Sequence, residues 1–343
     1  MEIVFVSEST SMHKPEYEHP ENPSRVLRAL RALEAFGIGF SDVGIGNADF
    51  EEGLRVARRV HSEKYLEYLV ESSRRAPVDL DEDTYMSKDS FTLATATFFF
   101  AYKYASESSG VFLVSRPPGH HAGREGRALG ASSLGFCLLN NAAAAVEGFK
   151  SRGFKKIAII DFDAHHGNGT MEIFYREKVL QVDIHQDPRT LYPYTGYPDE
   201  LGEGEGYGYK ANIVLPRLAG DDLLEAVQET TLSVLRGYTP EALVVSAGFD
   251  GFEGDGLADL RLTERSYYAL GSLVRELDVP TVVLLEGGYG VGLERGLVAF
   301  VNGLLGVKQS YEHRTSTPPT TYRRALETAL VTLEKVARRV TRL

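Results

Sequence analysis

The 343-residue sequence predicts an α/β fold with a mostly parallel sheet flanked by helices. Three observations predict it. Short apolar runs at residues 2–6, 111–114, 157–160, 179–184, 242–245 and 281–285 have the unbroken hydrophobicity of strands buried on both faces. Helical patterns lie between them, which implies βαβ units with right-handed crossovers. The main clusters of polar, chemistry-bearing residues follow a strand, and open α/β sheets bind ligands beyond the carboxyl ends of their strands.

The elements follow in order. Met1-Glu-Ile-Val-Phe-Val leads directly into the first strand. Residues 7–24 read as a polar loop with His13 and His19, after which Asn22 or Ser24 can cap a helix from Arg25 to Phe36, stopped by Gly37. Residues 61–75 and 89–106 are helical stretches on either side of an acidic loop with Asp79, Asp81, Glu82 and Asp83. Strand 111–114 runs into Arg116-Pro-Pro-Gly-His120-His121, and a helix is expected over 136–150. Strand 157–160 ends in Asp161-Phe-Asp163-Ala-His165-His166-Gly-Asn168, before a helix over 170–176. Strand 179–184 precedes His185-Gln-Asp187, and the glycine- and glutamate-rich stretch 196–210 reads as a flexible loop. Helix 221–236 leads to strand 242–245 and Ala247-Gly-Phe-Asp250, and helix 263–277 leads to strand 281–285 and Glu286-Gly-Gly-Tyr289-Gly. A helix over 292–305, a polar tether over 308–319 and an amphipathic helix over about 320–341 complete the chain. No boundary divides it, so residues 1–343 are expected to be one catalytic domain with the C-terminal helix packed on it.

Bulk composition narrows the function. Hydrophobic residues at 43% and charged residues at 25% are those of a globular protein rather than a disordered one. The net charge of −11 makes nucleic acid a poor partner and a cationic substrate a reasonable one, although solubility alone accounts for it equally well. A single cysteine, Cys137, excludes an intrachain disulfide and a thiolate metal cage and favours a cytoplasmic setting. No apolar run reaches the length of a membrane span, and no basic leader precedes the first strand, so neither a membrane anchor nor a signal peptide is expected.

Two oxygen ligands and a nitrogen ligand delivered close together after strand 157–160 are what a hard or borderline divalent ion requires. Asp163 and His165 lie two apart and point to the same side of an extended segment. Asp250 is the best third ligand, although Gly-Phe-Asp-Gly is as readily a turn. Three protein ligands leave a position open to water or substrate, as in a catalytic centre, and the set suits Zn²⁺ with Fe²⁺, Co²⁺ or Mn²⁺ close behind. The adjacent His120 and His121 can supply general acid and base, with Asp161 and Asn168 available to fix their tautomers. Tyr289, between glycines, can donate to an oxyanion.

Taken in order and spacing, Arg-Pro-Pro-Gly-His120-His121, Gly135-Phe136-Cys137, Asp161-Phe-Asp163-Ala-His165-His166-Gly-Asn168, Gly248-Phe-Asp250 and Gly287-Gly-Tyr289-Gly resemble the histone deacetylase family, which includes acetylpolyamine amidohydrolases and acetoin-utilisation-type prokaryotic deacetylases. His19-Pro-Glu-Asn-Pro-Ser-Arg25 resembles its N-terminal signature, and the likeness runs over roughly residues 10–305. The resemblance implies the arginase/deacetylase fold with about eight strands. It implies zinc on Asp163, His165 and Asp250, a general acid/base pair in His120 and His121 supported by Asp161 and Asn168, and carbonyl polarisation by Tyr289. It further implies a narrow acyl-amine channel walled by Phe136 and Tyr192, with the Gly135 backbone offered to the substrate, and a structural K⁺ near Asp161, His165, Asp183 and Ile184.

Four positions depart from the family pattern. Asn168 stands where some branches have aspartate, which leaves His121 without a charged partner and less basic than His120. Tyr192 replaces a frequent phenylalanine and is expected to make the channel wall more polar. Asp183 brings a charge where a hydroxyl is common, and Leu257 is apolar where a polyamine-selective branch carries an acid. The expected activity is hydrolysis of an acetyl or acyl amide on a primary amine, either acetyl-lysine or an acetylated polyamine, releasing acetate. The alternatives are a binuclear manganese ureohydrolase, disfavoured by Gly167 two residues after His165, and a non-catalytic acetyl-lysine binder. The sequence does not set the oligomeric state, and a homo-oligomer is compatible with it.

Overall fold

The computed structural model describes residues 1–341; the last two residues of the expected domain lie outside the described residues. The strands are Glu2–Val6 (β1), Ser41–Val43 (β2), Gly110–Val114 (β3), Ile157–Asp161 (β4), Leu180–Gln186 (β5), Lys210–Leu215 (β6), Ala242–Ala247 (β7) and Thr281–Leu285 (β8). They form one sheet in the order β6-β5-β4-β7-β8-β3-β1-β2, every neighbouring pair parallel. Alternation along each strand sends side chains to two separate cores. Ala158 and Ile160 of β4 enter one and Ile157 and Ile159 the other; Phe112 and Val114 of β3 are separated in the same way from Val111 and Leu113.

Helices cover both faces. Ser24–Ala35 (α1) packs on one side, with Asp221–Tyr238 (α7), Glu264–Leu277 (α8), Gly296–Leu305 (α9) and Pro319–Val340 (α10). Asn47–Val60 (α2), Glu63–Arg75 (α3), Ser90–Glu107 (α4) and Asn141–Ser151 (α5) pack on the other, and Asn168–Ile173 (α6) follows β4. The result is the single α/β domain expected, its eight-stranded sheet wholly parallel. Asp221 fastens the tether before α10: its carboxylate accepts bonds from the Thr315 amide at 2.9 Å and hydroxyl at 3.0 Å, and from Thr263 and Ser266. No helix among the described residues is long and apolar enough to cross a membrane.

Several expectations about elements need correction. Strand β6 begins at Lys210, inside the stretch read as a loop. Its Lys210 and Asn212 are buried, so polar side chains interrupt the apolar run that would have marked it. Strand β2, Ser-Asp-Val, is a short exposed edge without an apolar signature, and α2 also lacks a counterpart in the sequence reading. The helix expected over 136–150 starts only at Asn141, where the Asn140 side chain accepts the Ala143 amide. Gly135 and Phe136 upstream have φ of 56° and 68°, a left-handed bend that no α-helix accommodates. Near the first helix, Asn22 rather than Ser24 is the acceptor, taking the Ser24 amide at 2.9 Å.

Candidate active site

The four central strands, β4, β7, β8 and β3, are neighbours in the sheet, so the segments leaving their carboxyl ends converge. The β4 end supplies Asp161 to Asn168, β7 supplies Asp250, β8 supplies Glu286 to Tyr289, and β3 supplies His120 and His121. This juxtaposition of residues from 41 to 167 positions apart is what the parallel topology does for the chemistry.

Asp163, His165 and Asp250 meet: one ligand atom from each lies within 4.8 Å of the others. His165 Nδ1 is 3.1 Å from Asp163 Oδ1 and 2.7 Å from Asp250 Oδ2. The carboxylates are oriented by backbone amides, Gly287 N–H donating to Asp163 Oδ2 at 2.7 Å and Ala164 N–H to Asp250 Oδ1 at 3.0 Å. Two glycines make room for them. A Cβ at Gly248 would lie 2.1 Å from Asp163 Oδ2, and one at Gly287 would lie 2.5 Å from that oxygen and 2.8 Å from Asp250 Oδ2. Burial pushes Asp250 up to about 6, with the Asp163 charge adding to it. Burial also works against a charged His165, but the Asp250 and Asp163 carboxylates outweigh it and raise the imidazole to about 10. Two buried carboxylates so close together around an imidazole nitrogen call for a shared positive charge. One nitrogen and two oxygen donors with borderline character fit a divalent ion of the zinc kind.

The two adjacent histidines have different partners. His120 Nδ1 is 3.0 Å from Asp161 Oδ2, and His121 Nδ1 is 2.7 Å from Asn168 Oδ1. Asn168 Nδ2 donates to Ala128 O at 3.0 Å, which fixes the amide with its oxygen toward His121. His121 must therefore donate through Nδ1 and keep Nε2 as an acceptor. Burial disfavours charge on both rings. In His120 the Asp161, Asp163 and Glu286 carboxylates overcome it and hold the pKa well above the usual value. In His121 burial is reinforced by the neighbouring His120 and His165, and the pKa falls well below it. The two imidazoles differ in basicity because carboxylates surround His120 while other imidazoles flank His121, whose bond to Asn168 works in the opposite, raising direction.

Both histidines line a cavity of about 280 Å³ together with Asp163, His165 and Tyr289. Gly135, Phe136, Tyr192 and Leu257 line the same cavity, so every residue expected at the channel is adjacent to it. Phe136 stands edge-on to Tyr289 at 5.8 Å and Tyr192 edge-on to His121 at 5.1 Å. The Tyr192 hydroxyl donates to Ser133 O at 2.9 Å, so the ring rather than the hydroxyl faces the imidazoles, and the more polar wall expected from this tyrosine is not what it presents. Burial raises the Tyr289 phenol well above its ordinary value, with Arg25 opposing the shift and Asp163 adding to it, so it is a neutral hydrogen-bond donor. A larger surface groove of about 510 Å³ beside the first turns of α10 holds none of these groups.

The acidic loop at 79–83 is mostly structural. Asp81 accepts the Leu134 amide at 2.8 Å, Glu82 the Ser132 hydroxyl at 2.9 Å, and Asp83 the Ser133 hydroxyl, which together tie down the segment that carries Gly135 and Phe136. Asp83 alone of these lines the cavity. Asp183 is buried and already engaged by the Gly167 amide at 3.1 Å, Gln181 at 3.1 Å and His185 at 2.6 Å.

The sequence reading assigns no role to a buried network that holds the site from behind. Glu21 binds Arg116 through both oxygens and Arg25 at 3.2 Å. Arg25 donates to Gly288 O at 2.7 Å and to Glu286 O, and its guanidinium lies 4.7 Å from the Tyr289 ring centroid. Glu286 accepts the Gly119 amide at 2.7 Å, joining the histidine loop to the tyrosine loop. The signal for it is Glu21 and Arg25 within His19-Pro-Glu-Asn-Pro-Ser-Arg25, charged residues where a polar loop runs into the first helix, yet both buried.

The chain is similar to known proteins over most of its length. Residues 19–304 match the histone deacetylase domain. The chain is 38% identical over 320 residues to a probable deacetylase of Methanothermobacter thermautotrophicus, covering 90% of this chain and 93% of that one. It is 45% identical over 182 residues to acetylpolyamine amidohydrolase 1 of Pseudomonas aeruginosa, about half of each chain. The crystal structure of the HDA15 HD domain superposes with a TM-score of 0.84 at 26% identity, covering 99% of this chain and 96% of that one. With its sheet, its converging loops and a match over most of its length, the chain belongs to the histone deacetylase family.

Proposed function

We propose that this protein is a metal-dependent deacetylase that removes acetyl, or a short acyl group, from the primary amine of acetyl-lysine or of an acetylated polyamine or small amine. The observation that carries the reading is the meeting of Asp163, His165 and Asp250, the first two of which line a cavity together with His120, His121 and Tyr289. Those three residues would hold a zinc-class ion, with Fe²⁺ or Co²⁺ as substitutes. The chemistry such an ion supplies is Lewis-acid polarisation of a carbonyl and acidification of water toward a pKa of about 7.

The remaining work falls to the chain itself. His120 and His121 share the proton traffic: one imidazole takes the proton of the attacking water and one returns a proton to the departing amine. Their Nδ1 atoms are committed to Asp161 and Asn168, so this traffic runs through Nε2. Tyr289 donates its hydroxyl to the oxygen that becomes negative at the tetrahedral stage. Phe136 and Tyr192 present ring surface suited to an unbranched methylene chain, and Gly135 offers backbone polarity nearby. Asp83 at the same cavity suits an amide N–H or a cationic amine, and the chain's acidity favours the approach of cations. A structural K⁺ beside Asp161, His165, Asp183 and Ile184 belongs to the same proposal.

The test is a turnover screen of the metal-loaded protein against acetyl-lysine peptides, acetylated polyamines and longer acyl amides, with chelation and metal replacement as controls. Acetate release that is lost on chelation and restored by one equivalent of metal is the expected result. Binding of these amides without turnover of any of them sinks the deacetylase reading in favour of a binder. Two manganese ions per chain with ureohydrolase activity sinks it in favour of the other enzyme.

A further inference from the structure

The segment that carries Tyr289 is gripped from two sides. Arg25 takes the carbonyls of residues 286 and 288. On the other side the Asp255 carboxylate takes the amides: Oδ2 accepts Tyr289 N–H at 2.7 Å, and Oδ1 accepts Gly290 N–H at 2.8 Å and Gly292 N–H at 2.9 Å. Asp255 is 7% exposed and lies in the loop after Asp250, between Gly254 and Gly256, whose φ values of 83° and 119° turn the chain so that this one side chain reaches inward. The two segments are in close contact, since a Cβ at Gly292 would lie 1.9 Å from Phe249 O. Two residues beyond Asp255, Leu257 lines the substrate cavity. Charge-assisted bonds of this kind are about twice as strong as neutral ones, and three converge on one carboxylate.

We propose that Asp255 is the positioning residue for Tyr289: it fixes the peptide on which the tyrosine is mounted and thereby places the hydroxyl at the reacting oxygen. The assignment rests on the deacetylase reading above. A carboxylate so placed contributes to rate rather than to substrate affinity, because the donor it aims is needed most when charge develops on the oxygen. Asp255 touches neither the cavity nor the metal ligands in the contacts it makes, so its effect must pass through the 289–292 segment.

The experiment is a double-mutant cycle on the full chain with an acetyl-lysine peptide. Asp255→Ala is expected to lower kcat by about 10- to 100-fold, since a misplacement on the order of 1 Å can cost about that much. KM should stay within about threefold, with metal content unchanged. Asp255→Asn keeps the shape and one acceptor oxygen and should lose less; if the alanine variant does not fold, the asparagine variant takes its place in the cycle. In a Tyr289→Phe background either substitution should cost less than about threefold further, because the group being aimed is already gone. An undiminished loss in that background, or a loss carried by KM, overturns the assignment and leaves Asp255 a structural residue. Failure of the unmodified enzyme to turn over any acylated amine sinks the deacetylase reading and this role with it; turnover with additive losses sinks this role alone.

Discussion

Tyr289→Phe isolates one oxygen atom. The ring would keep its edge contact with Phe136 at 5.8 Å and its place beneath Arg25 at 4.7 Å, and the backbone amide would keep its acceptor in Asp255. Stability and metal binding should therefore change little, with a melting temperature within about 2 °C of the parent, as for a substitution that makes neither a cavity nor a buried unpaired group. The rate should change greatly. Loss of one pre-aimed donor to a developing oxyanion costs about 10²–10³ in kcat, roughly 3–4 kcal/mol in the barrier. The penalty arises because the phenol stays a neutral, pre-aimed donor at a partly buried position on the cavity wall. The assay is steady-state acetate release from an acetyl-lysine peptide, run beside metal analysis and thermal unfolding on the same preparation. A variant that folds, holds its metal and works within about threefold of the parent would refute the oxyanion role of Tyr289.

Three other outcomes follow from the structure. Gly248→Ala places a methyl where Asp163 Oδ2 lies, 2.1 Å from the ideal Cβ, so the ligand must move; metal affinity should fall at least about tenfold in a competitive titration. Asn168→Asp puts a negative charge against His121 Nδ1, which favours the imidazolium. The acid limb of the pH–rate profile should move up by roughly one to three units, and an unmoved profile would show that His121 is not the titrating base. Lys210 is fully buried with the Val179 carbonyl as its partner at 2.7 Å, and burial lowers it from 10.5 to about 7. Below pH 7 both folded and unfolded chains carry the proton and the burial cost is fully present; between 7 and 10.5 the unfolded chain binds more protons, so stability rises with pH. The full shift corresponds to roughly 5 kcal/mol at most. The advantage of Lys210→Met over the parent in urea unfolding should therefore shrink between pH 7 and pH 10, and a pH-independent difference would contradict it.

The reach of the sequence can be seen residue by residue. The clusters after strands β3, β4, β7 and β8 were legible because each follows an unbroken apolar run, and alternating patterns imply a parallel sheet whose strand ends share one edge. Elements without such a run were not: β6 hides behind buried Lys210 and Asn212, and β2 is three residues long and mostly exposed. Residues 136–140 carry helical-looking composition, yet the left-handed Gly135 and Phe136 hold the chain open there, which places Phe136 on the cavity rather than in a helix.

The sequence by itself determined which chemical groups are available, that they stand at the ends of parallel strands, and that the strands are buried on both faces. Those properties are local, written in side-chain type and in short unbroken apolar runs. Tertiary structure alone decided which ends are neighbours, because strand order depends on crossovers that no local pattern records. It also decided that Glu21 and Arg25 brace the tyrosine loop across more than 260 residues of chain, that the Tyr192 hydroxyl turns to Ser133, and that the acids at 81–83 mainly anchor another loop. Hydrogen-bond partners are a matter of distance in space, and a carboxylate's role follows from what donates to it once the chain has folded.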